Sequence, residues 1–235
     1  MDRTSLGDRM KTYEGVWKHS LVRRMPAILR VDGRAFHSYT RGFDTPFDQT
    51  LHNTMVATAT SLMQEIQGAK LAYGQSDEIS ILITDYDTLD TQAWFGGNIQ
   101  KMVSIAASVS TNAFNRYMLT ADKRAGNPMV KPLAQFDARI FNLPREEVAN
   151  YFIWRQQDAT RNSVQMVARA NFSHRECQDK SCSDLQDMLM AEGTNWNDTP
   201  THFKRGFCVL EKGKRVDRNI PIFTQQRDYI ETFTQ

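Results

Sequence analysis

A chain of 235 residues with 40% hydrophobic and 24% charged residues, 12 Gly and 7 Pro has the make-up of a globular protein that buries a sizeable core as one compact body, which excludes disorder and collagen-like repeats. Its 29 basic and 27 acidic side chains leave a formal net charge of +2, so no global field draws it to a polyanion and any nucleic acid must meet a local patch. No apolar stretch approaches the roughly 18 residues of a spanning helix, and the run from Met1 to Ser5 lacks the apolar segment of a signal peptide, which gives the expectation of a soluble, cytoplasmic protein without a membrane partner.

In chain order, Ser5 with Asp8 three residues on predicts a capped leading helix whose Met10, Tyr13 and Trp17 share a face. The run Ala27 to Val31, entered through Pro26 and closed by Asp32-Gly33, reads as a strand. Leu51, Met55, Ala59, Leu62, Met63 and Ile66 recur at helical spacing. Two β-rich runs, Lys70 to Tyr73 and Ile79 to Ile83, flank a polar segment from Gly74 to Glu78 suited to a hairpin tip. A second amphipathic helix carries Ile99, Met102, Val103, Ala106, Ala113, Phe114 and Tyr117, and a strand over Leu133 to Leu143 is broken by Pro144.

The order β-α-β-β-α-β from about residue 27 to 143 is that of the split βαβ, ferredoxin-like unit. The fold class expected is therefore α+β, an antiparallel sheet with helices. Downstream, Glu146 to about Phe172 and Leu185 to Met190 read as helices, Gly193 to Asp198 as a loop, and Phe207 to Leu210 with Lys214 to Val216 as a small hairpin. The organisation expected is a unit over 1–143 with the leading helix, and an α-rich appendage over 144–235 packed on the same body.

Asp32 and Asp77 each sit beside a turn at the end of an expected strand. In a split βαβ sheet the first strand neighbours the central hairpin, so these carboxylates can converge although 45 residues separate them. Converging carboxylates suit Mg²⁺, which takes hard oxygen ligands, and two ions roughly 3.5–4 Å apart can clamp a phosphoryl transfer. Gly33 would let the backbone approach a metal or phosphate closely. Successive strand residues face opposite ways, so of Asp77 and Glu78 one faces the ion; Asp77 is chosen, with Glu78 supporting from behind or touching nucleotide. The plainer reading is that Asp-Gly and Ser-Asp are simply good turn formers.

The segment Arg30-Val31-Asp32-Gly33-Arg34-Ala35-Phe36-His37, followed by Ala72-Tyr73-Gly74-Gln75-Ser76-Asp77-Glu78-Ile79-Ser80, resembles the paired signature motifs of the tRNA-histidine guanylyltransferase family. Phe136-Asp137-Ala138-Arg139 and Trp154-Arg155-Gln156-Gln157-Asp158 resemble later family segments, and Lys101 falls where the family has a basic residue. The likeness runs from Arg30 to about Asn162, with weaker agreement at Phe203-Lys204-Arg205-Gly206. It implies a polymerase-palm-type sheet, two Mg²⁺ ions, GTP and ATP as substrates, tRNA as partner, nucleotide addition at the tRNA 5′ end in the 3′-to-5′ direction, and a homotetramer.

By that resemblance Asp32, the Gly33 carbonyl and Asp77 hold the metals, with Glu78 among the catalytic carboxylates. Asp32, Gly33, Arg34, Ala35, Phe36, His37, Ser76, Asp77 and Lys101 bind nucleotide. The family's His-Ile-Asn-Asn motif is replaced by Thr160-Arg161-Asn162-Ser163, and its lysine before Pro46 by Thr45. Both departures resemble bacterial-type relatives that repair 5′-truncated tRNA from a template. Arg155, Gln156, Asn162, Lys204 and Arg205 are assigned to RNA or triphosphate contact.

Singly, the pairs Arg23-Arg24, Lys123-Arg124, Lys204-Arg205 and Lys214-Arg215 read as solvated surface; pooled in a groove they would bind RNA backbone. His37 reads as a phosphate contact or a packing residue, and Trp94, Trp154 and Trp196 as core or interface. The three cysteines, Cys177, Cys182 and Cys208, read as reduced thiols, the alternative being a zinc site from His174, Cys177 and Cys182 with His202 and Cys208. The other functional readings are a dedicated tRNA-histidine guanylyltransferase, a nucleotidyl cyclase of the same palm shape, and a binding module without turnover.

Overall fold

A computed structural model describes residues 4–125 and 132–234, with side chains to residue 121 in the first stretch. The Lys123-Arg124 side chains lie outside the described residues. Helix α1, Ser5–Gly15, is capped by Thr4, whose hydroxyl accepts from the Gly7 N–H at 3.1 Å, rather than by Ser5. None of its residues is buried, so Met10, Tyr13 and the following Trp17 face solvent in the single chain.

Strand β1, Ala27–Gly33, runs on through the two polar-end residues expected to stop it. Short helix α2, Phe36–Tyr39, follows, then α3, Gln49–Glu65, whose N-terminus is satisfied by Asp48 accepting from Leu51 N–H at 2.8 Å. Strands β2, Ala69–Gln75, and β3, Glu78–Ile83, pair up to Gln75 opposite Glu78, so the turn is Ser76-Asp77 alone, with Ser76 at φ 48°. The five-residue tip is therefore wrong in length. Gly74 belongs to the strand because the Phe207 ring lies 2.3 Å from where a Cβ would sit, and Gln75 and Glu78 are polar yet buried.

Helix α4 spans Ile99–Ala125, and β4, Phe136–Asn142, starts three residues later than the apolar pattern predicts, leaving Leu133 exposed. Helices α5, Val148–Asn171, α6, His174–Cys177, α7, Cys182–Ala191, and α8, Thr201–Arg205, precede β5, Phe207–Leu210, and β6, Arg215–Asp217; α9, Asp228–Glu231, lies near the end. The antiparallel sheet has the order β4-β1-β3-β2-β5-β6. Its first four strands form the ferredoxin-like arrangement expected from the sequence. The C-terminal hairpin extends that sheet, with Phe207 opposite Gly74 and Cys208 opposite Tyr73.

Alternation along β1 sorts the two faces. Ala27, Leu29 and Val31 pack with α3 and α4 through Met55, Leu62, Met102 and Phe114. Ile28 faces the other way, into a second core made by Val148, Phe152, Leu210 and Phe223 under α5. Arg30 and Asp32 share that second face by parity, and this places polar side chains at the end of an otherwise apolar layer.

Candidate active site

The central position of β1 makes the site. Cross-strand partners share a face, and Asp32 is opposite Glu78 on one side and Asp137 on the other, which sets a row of three acids across the sheet end. The Gly33 N–H donates to the Asp77 carbonyl at 3.1 Å, tying the hairpin turn to the end of β1. Asp77 is half-buried, and its pKa is pushed up to about 6, chiefly by burial; hydrogen bonds from its own backbone N–H and from Ser76 Oγ at 3.1 Å pull it down, and the negative charges of Asp32 and Glu78 push it further up. The two aspartates expected to meet thus feel each other's charge.

A divalent ion would relieve that repulsion, and hard carboxylate donors fit Mg²⁺. Among the described residues no group of three or more His, Cys, Asp or Glu is arranged to hold a metal, so the donors available are the two carboxylates, a backbone carbonyl, water and substrate phosphate. The same observation corrects the zinc alternative: His174, Cys177, Cys182, His202 and Cys208 make no such group, and the three thiols are free. Gly33 also has a packing reason, because a Cβ there would fall 2.3 Å from the Phe36 ring. The missing side chain makes room for that ring in the core.

Glu78 is locked in its place in the row. Arg155 Nε donates to Oε1 at 2.7 Å and Nη2 to Oε2 at 2.6 Å, with Ser80 Oγ on Oε1 at 3.2 Å, and both charged side chains are 8% exposed. Arg155 Nη2 also reaches Asp158, which binds Arg161 through its other oxygen at 2.8 Å. Six residues apart, the two arginines are joined by the acid between them. Arg155 is therefore a buried counter-ion with no surface to offer RNA. Gln156 is likewise buried, its amide donating to Pro221 O at 2.9 Å and accepting from Phe223 N–H at 2.8 Å. Their motif reads as binding residues because charge and amide carry no local signal of burial.

The remaining expected residues divide. The loop after β1 carries Ala35 at φ 54°, and within the described residues the N–H groups of Ala35, Phe36 and His37 donate to no protein acceptor. Phe36 itself is core, against Tyr39, Phe114 and Phe136, so only its backbone is available. Arg34 and His37 are exposed, and Arg34 Nη1 donates to Gln135 at 2.6 Å. Ser76 and Asn162 line a cavity of about 210 Å³ walled by Phe43, Phe47, Phe203 and the His52–His202 pair. Burial holds His52 down to about 3, with neighbouring His202 and Arg218 adding.

Lys204 and Arg205 border a separate groove with Arg161 and Gln157. Lys101 is not brought to the site. It lies on the first turn of α4, where neighbouring Met102 meets Ala27 and Ile83, about 15 Å along the helix from Thr111, which accepts from Phe136 N–H beside Gly33.

Two basic residues escaped the sequence reading. Arg30 and Arg139 are cross-strand partners one row below the acids, and Arg30 Nε is buried without a partner, while Arg139 bonds Asp137 at 2.7 Å. The signal was present as Arg30-x-Asp32 and Asp137-x-Arg139, since residues two apart on a strand share a face.

A palm-type sheet with paired acids at the end of its central strand and adjoining hairpin defines the class, a nucleotidyltransferase. The family model described as tRNAHis guanylyltransferase matches residues 7–144, and the chain belongs to this Thg1 family. It is similar to a bacterial tRNA(His) guanylyltransferase (Thg1)-like protein solved with ATP, at 50% identity and TM-score 0.92 over 98% of this chain and 99% of that one. A bacterial Thg1-like protein solved with GTP gives 46% and 0.84 over the same shares. The tRNA(His) guanylyltransferase of Saccharomyces cerevisiae is 27% identical over 82% of this chain and 85% of its own.

Proposed function

We propose that this protein is a magnesium-dependent enzyme that adds nucleotides to the 5′ end of tRNA in the 3′-to-5′ direction, its task being template-dependent repair of 5′-truncated tRNA. The observation that carries the reading is the meeting of two acids at the sheet end, where the Gly33 N–H next to Asp32 donates to the Asp77 carbonyl at 3.1 Å and Asp32 lies opposite Glu78 and Asp137. Asp32, Asp77 and the Gly33 carbonyl would hold two Mg²⁺ ions, which when bound neutralise phosphate charge and favour ionisation of a hydroxyl. The chain's own part is positioning. The free N–H groups of Ala35, Phe36 and His37 receive phosphate oxygens, and the cavity beside Ser76 receives the base. Glu78 keeps the acid row in place through Arg155 rather than touching substrate.

In the reaction the 3′-hydroxyl of the incoming nucleotide loses its proton and attacks the 5′ phosphorus. The new bond replaces the one to pyrophosphate on a 5′-triphosphate, or to AMP on a 5′-monophosphate first activated with ATP. The bacterial relatives solved in complex with ATP and with GTP support this substrate pair. Repair is favoured over selectivity for tRNA-histidine by Thr160 to Ser163: Asn162 borders the cavity, while Ser163 is buried and accepts from Trp196 Nε1 at 3.1 Å, a structural use of the position. The family likeness also supports a cytoplasmic homotetramer with the segments 1–143 and 144–235 acting as one body.

The test is incubation with labelled GTP, ATP, magnesium and a tRNA lacking its first 5′ nucleotide, beside Asp32→Ala and Asp77→Ala. Wild type is expected to extend the RNA and both variants to fall below detection; equal extension by either variant removes the assigned ligands. Full-length tRNA-histidine in a parallel tube is expected to be the poorer acceptor.

A further inference from the structure

The sheet ends on two edges of unequal length. Strand β6 has three residues, whereas β4 has seven, Phe136–Asn142, and contains neither proline nor bulge; shortness, proline and bulges are the usual protection of an edge against another chain. Arg34 N–H donates to Gln135 O at 2.8 Å and Leu143 N–H to Pro26 O at 3.1 Å, so the odd-numbered residues of β4 bond β1 and the even-numbered ones turn their backbone groups outward. Thr111 of α4 accepts from Phe136 N–H at 3.2 Å, while the N–H groups of Ala138 and Ile140 meet no acceptor among the described residues. Asp137 and Arg139 share the face of Phe141, toward α5, and are exposed, opposite in sign and separated only by Ala138. Two such strands paired antiparallel about Ala138 would set Asp137 of each opposite Arg139 of the other, and Phe136 opposite Ile140. Moving the axis by one residue either way sets Asp137 against Asp137 or Arg139 against Arg139, and like charges directly opposite are destabilising. Beside the strand lies an open groove of about 740 Å³ bordered by Ser108 and Asn112 of α4. Ile105 and Leu119, seven residues before and after Asn112 and therefore on its side of the helix, are 37% and 51% exposed.

We infer that β4 is a contact between two copies of this chain, joined antiparallel about Ala138 so that their sheets run on as one and their α4 helices face each other across a two-fold axis. The Ala138 N–H of each copy donates to the Ala138 carbonyl of the other, and Ile140 N–H to the Phe136 carbonyl. The occupant is a second copy because an acid and a base flanking one small residue are complementary to their own antiparallel image, and an isologous contact of this kind closes on itself. It also brings Arg139 of the second copy to Asp137, the outer member of the acid row. The inference gives the association proposed above a definite interface; it does not rest on the chemistry assigned to the acids.

Sedimentation equilibrium over a dilution series is run on wild type, Ala138→Pro, Asp137→Arg, Arg139→Asp and an equal mixture of the last two. Proline leaves the ladder to β1 intact, since the Ala138 N–H takes no part in it, and removes the donor at the axis. Ala138→Pro and each charge variant alone are expected to raise the dissociation constant about tenfold or more and to give particles of half the wild-type mass on dilution. The mixture is expected to regain assembly, because each strand then meets charges opposite to its own. Wild-type affinity in Ala138→Pro overturns the pairing, as does a mixture that associates no more tightly than either charge variant alone; if circular dichroism finds Ala138→Pro unfolded, the mixture decides. Assembly unchanged in every variant overturns the pairing and leaves the association standing, whereas a wild type that stays monomeric overturns both, whatever RNA it extends.

Discussion

Asp77 carries an electrostatic cost that the protein keeps in its metal-free form. A carboxyl whose folded pKa is raised to about 6 from an ordinary 3.8 binds protons more tightly folded than unfolded, so it favours folding at low pH and loses that advantage as pH rises from about 4 through 6. Asp77→Asn is therefore expected to raise Tm over the metal-free wild type at pH 7.5 and to change it little at pH 4, as measured by thermal melts in chelator. Addition of magnesium should raise the wild-type Tm at pH 7.5 and not that of the variant. Glu78 is held differently, its carboxylate paired with the buried Arg155 guanidinium. Glu78→Ala strands a buried guanidinium and is expected to cost about 3–5 kcal/mol in urea unfolding, lowering activity through instability.

At the scale of elements, α5 decides what the strands beneath it can be. It supplies Arg155 to β3 and, through Gln156, holds the segment at Pro221 and Phe223. Gln156→Ala leaves a part-buried carbonyl and a buried N–H unpaired, so a loss of about 2 kcal/mol is expected in chemical denaturation, with the metal-dependent steps unaffected at temperatures where the variant is folded. Apolar spacing made the order of helices and strands legible, as in Leu51 to Ile66 over α3 and Ile79 to Ile83 in β3. Strand ends were not legible where polar residues continue them: Asp32, Gln75 and Glu78 interrupt the apolar pattern, and for Glu78 the compensation comes from residue 155, beyond any local window. The attachment of β5 to β2 was hidden for the same reason, since its cause is the Phe207 ring seated on Gly74. Of the candidate site, the paired motifs named Asp32 and Asp77, which the fold sets at one sheet end, while burial of Arg155 and Gln156 and the remoteness of Lys101 required the assembled fold.

Across the whole molecule a net charge of +2 means that contact with a polyanion is local, and the groove bordered by Arg161, Lys204 and Arg205 gathers three basic residues that a test of RNA contact can address. Arg161→Ala is expected to weaken tRNA binding and flatten the slope of log affinity against log salt by about 0.7 to 0.9, one phosphate contact, in filter binding from low to moderate salt; Gln156→Ala should leave that slope as in wild type. The strand order has a last consequence, for biogenesis. Residues 27 to 142 can pair as a four-stranded sheet while the ribosome is still translating the remainder, yet Glu78 then has no cationic partner until Arg155 emerges, and the edge of β2 stays unpaired until Phe207 to Leu210 arrive. A nascent chain thus leaves the Glu78 carboxylate without its cation until two thirds of the message has been read, and a truncation before residue 155 strands that charge for good.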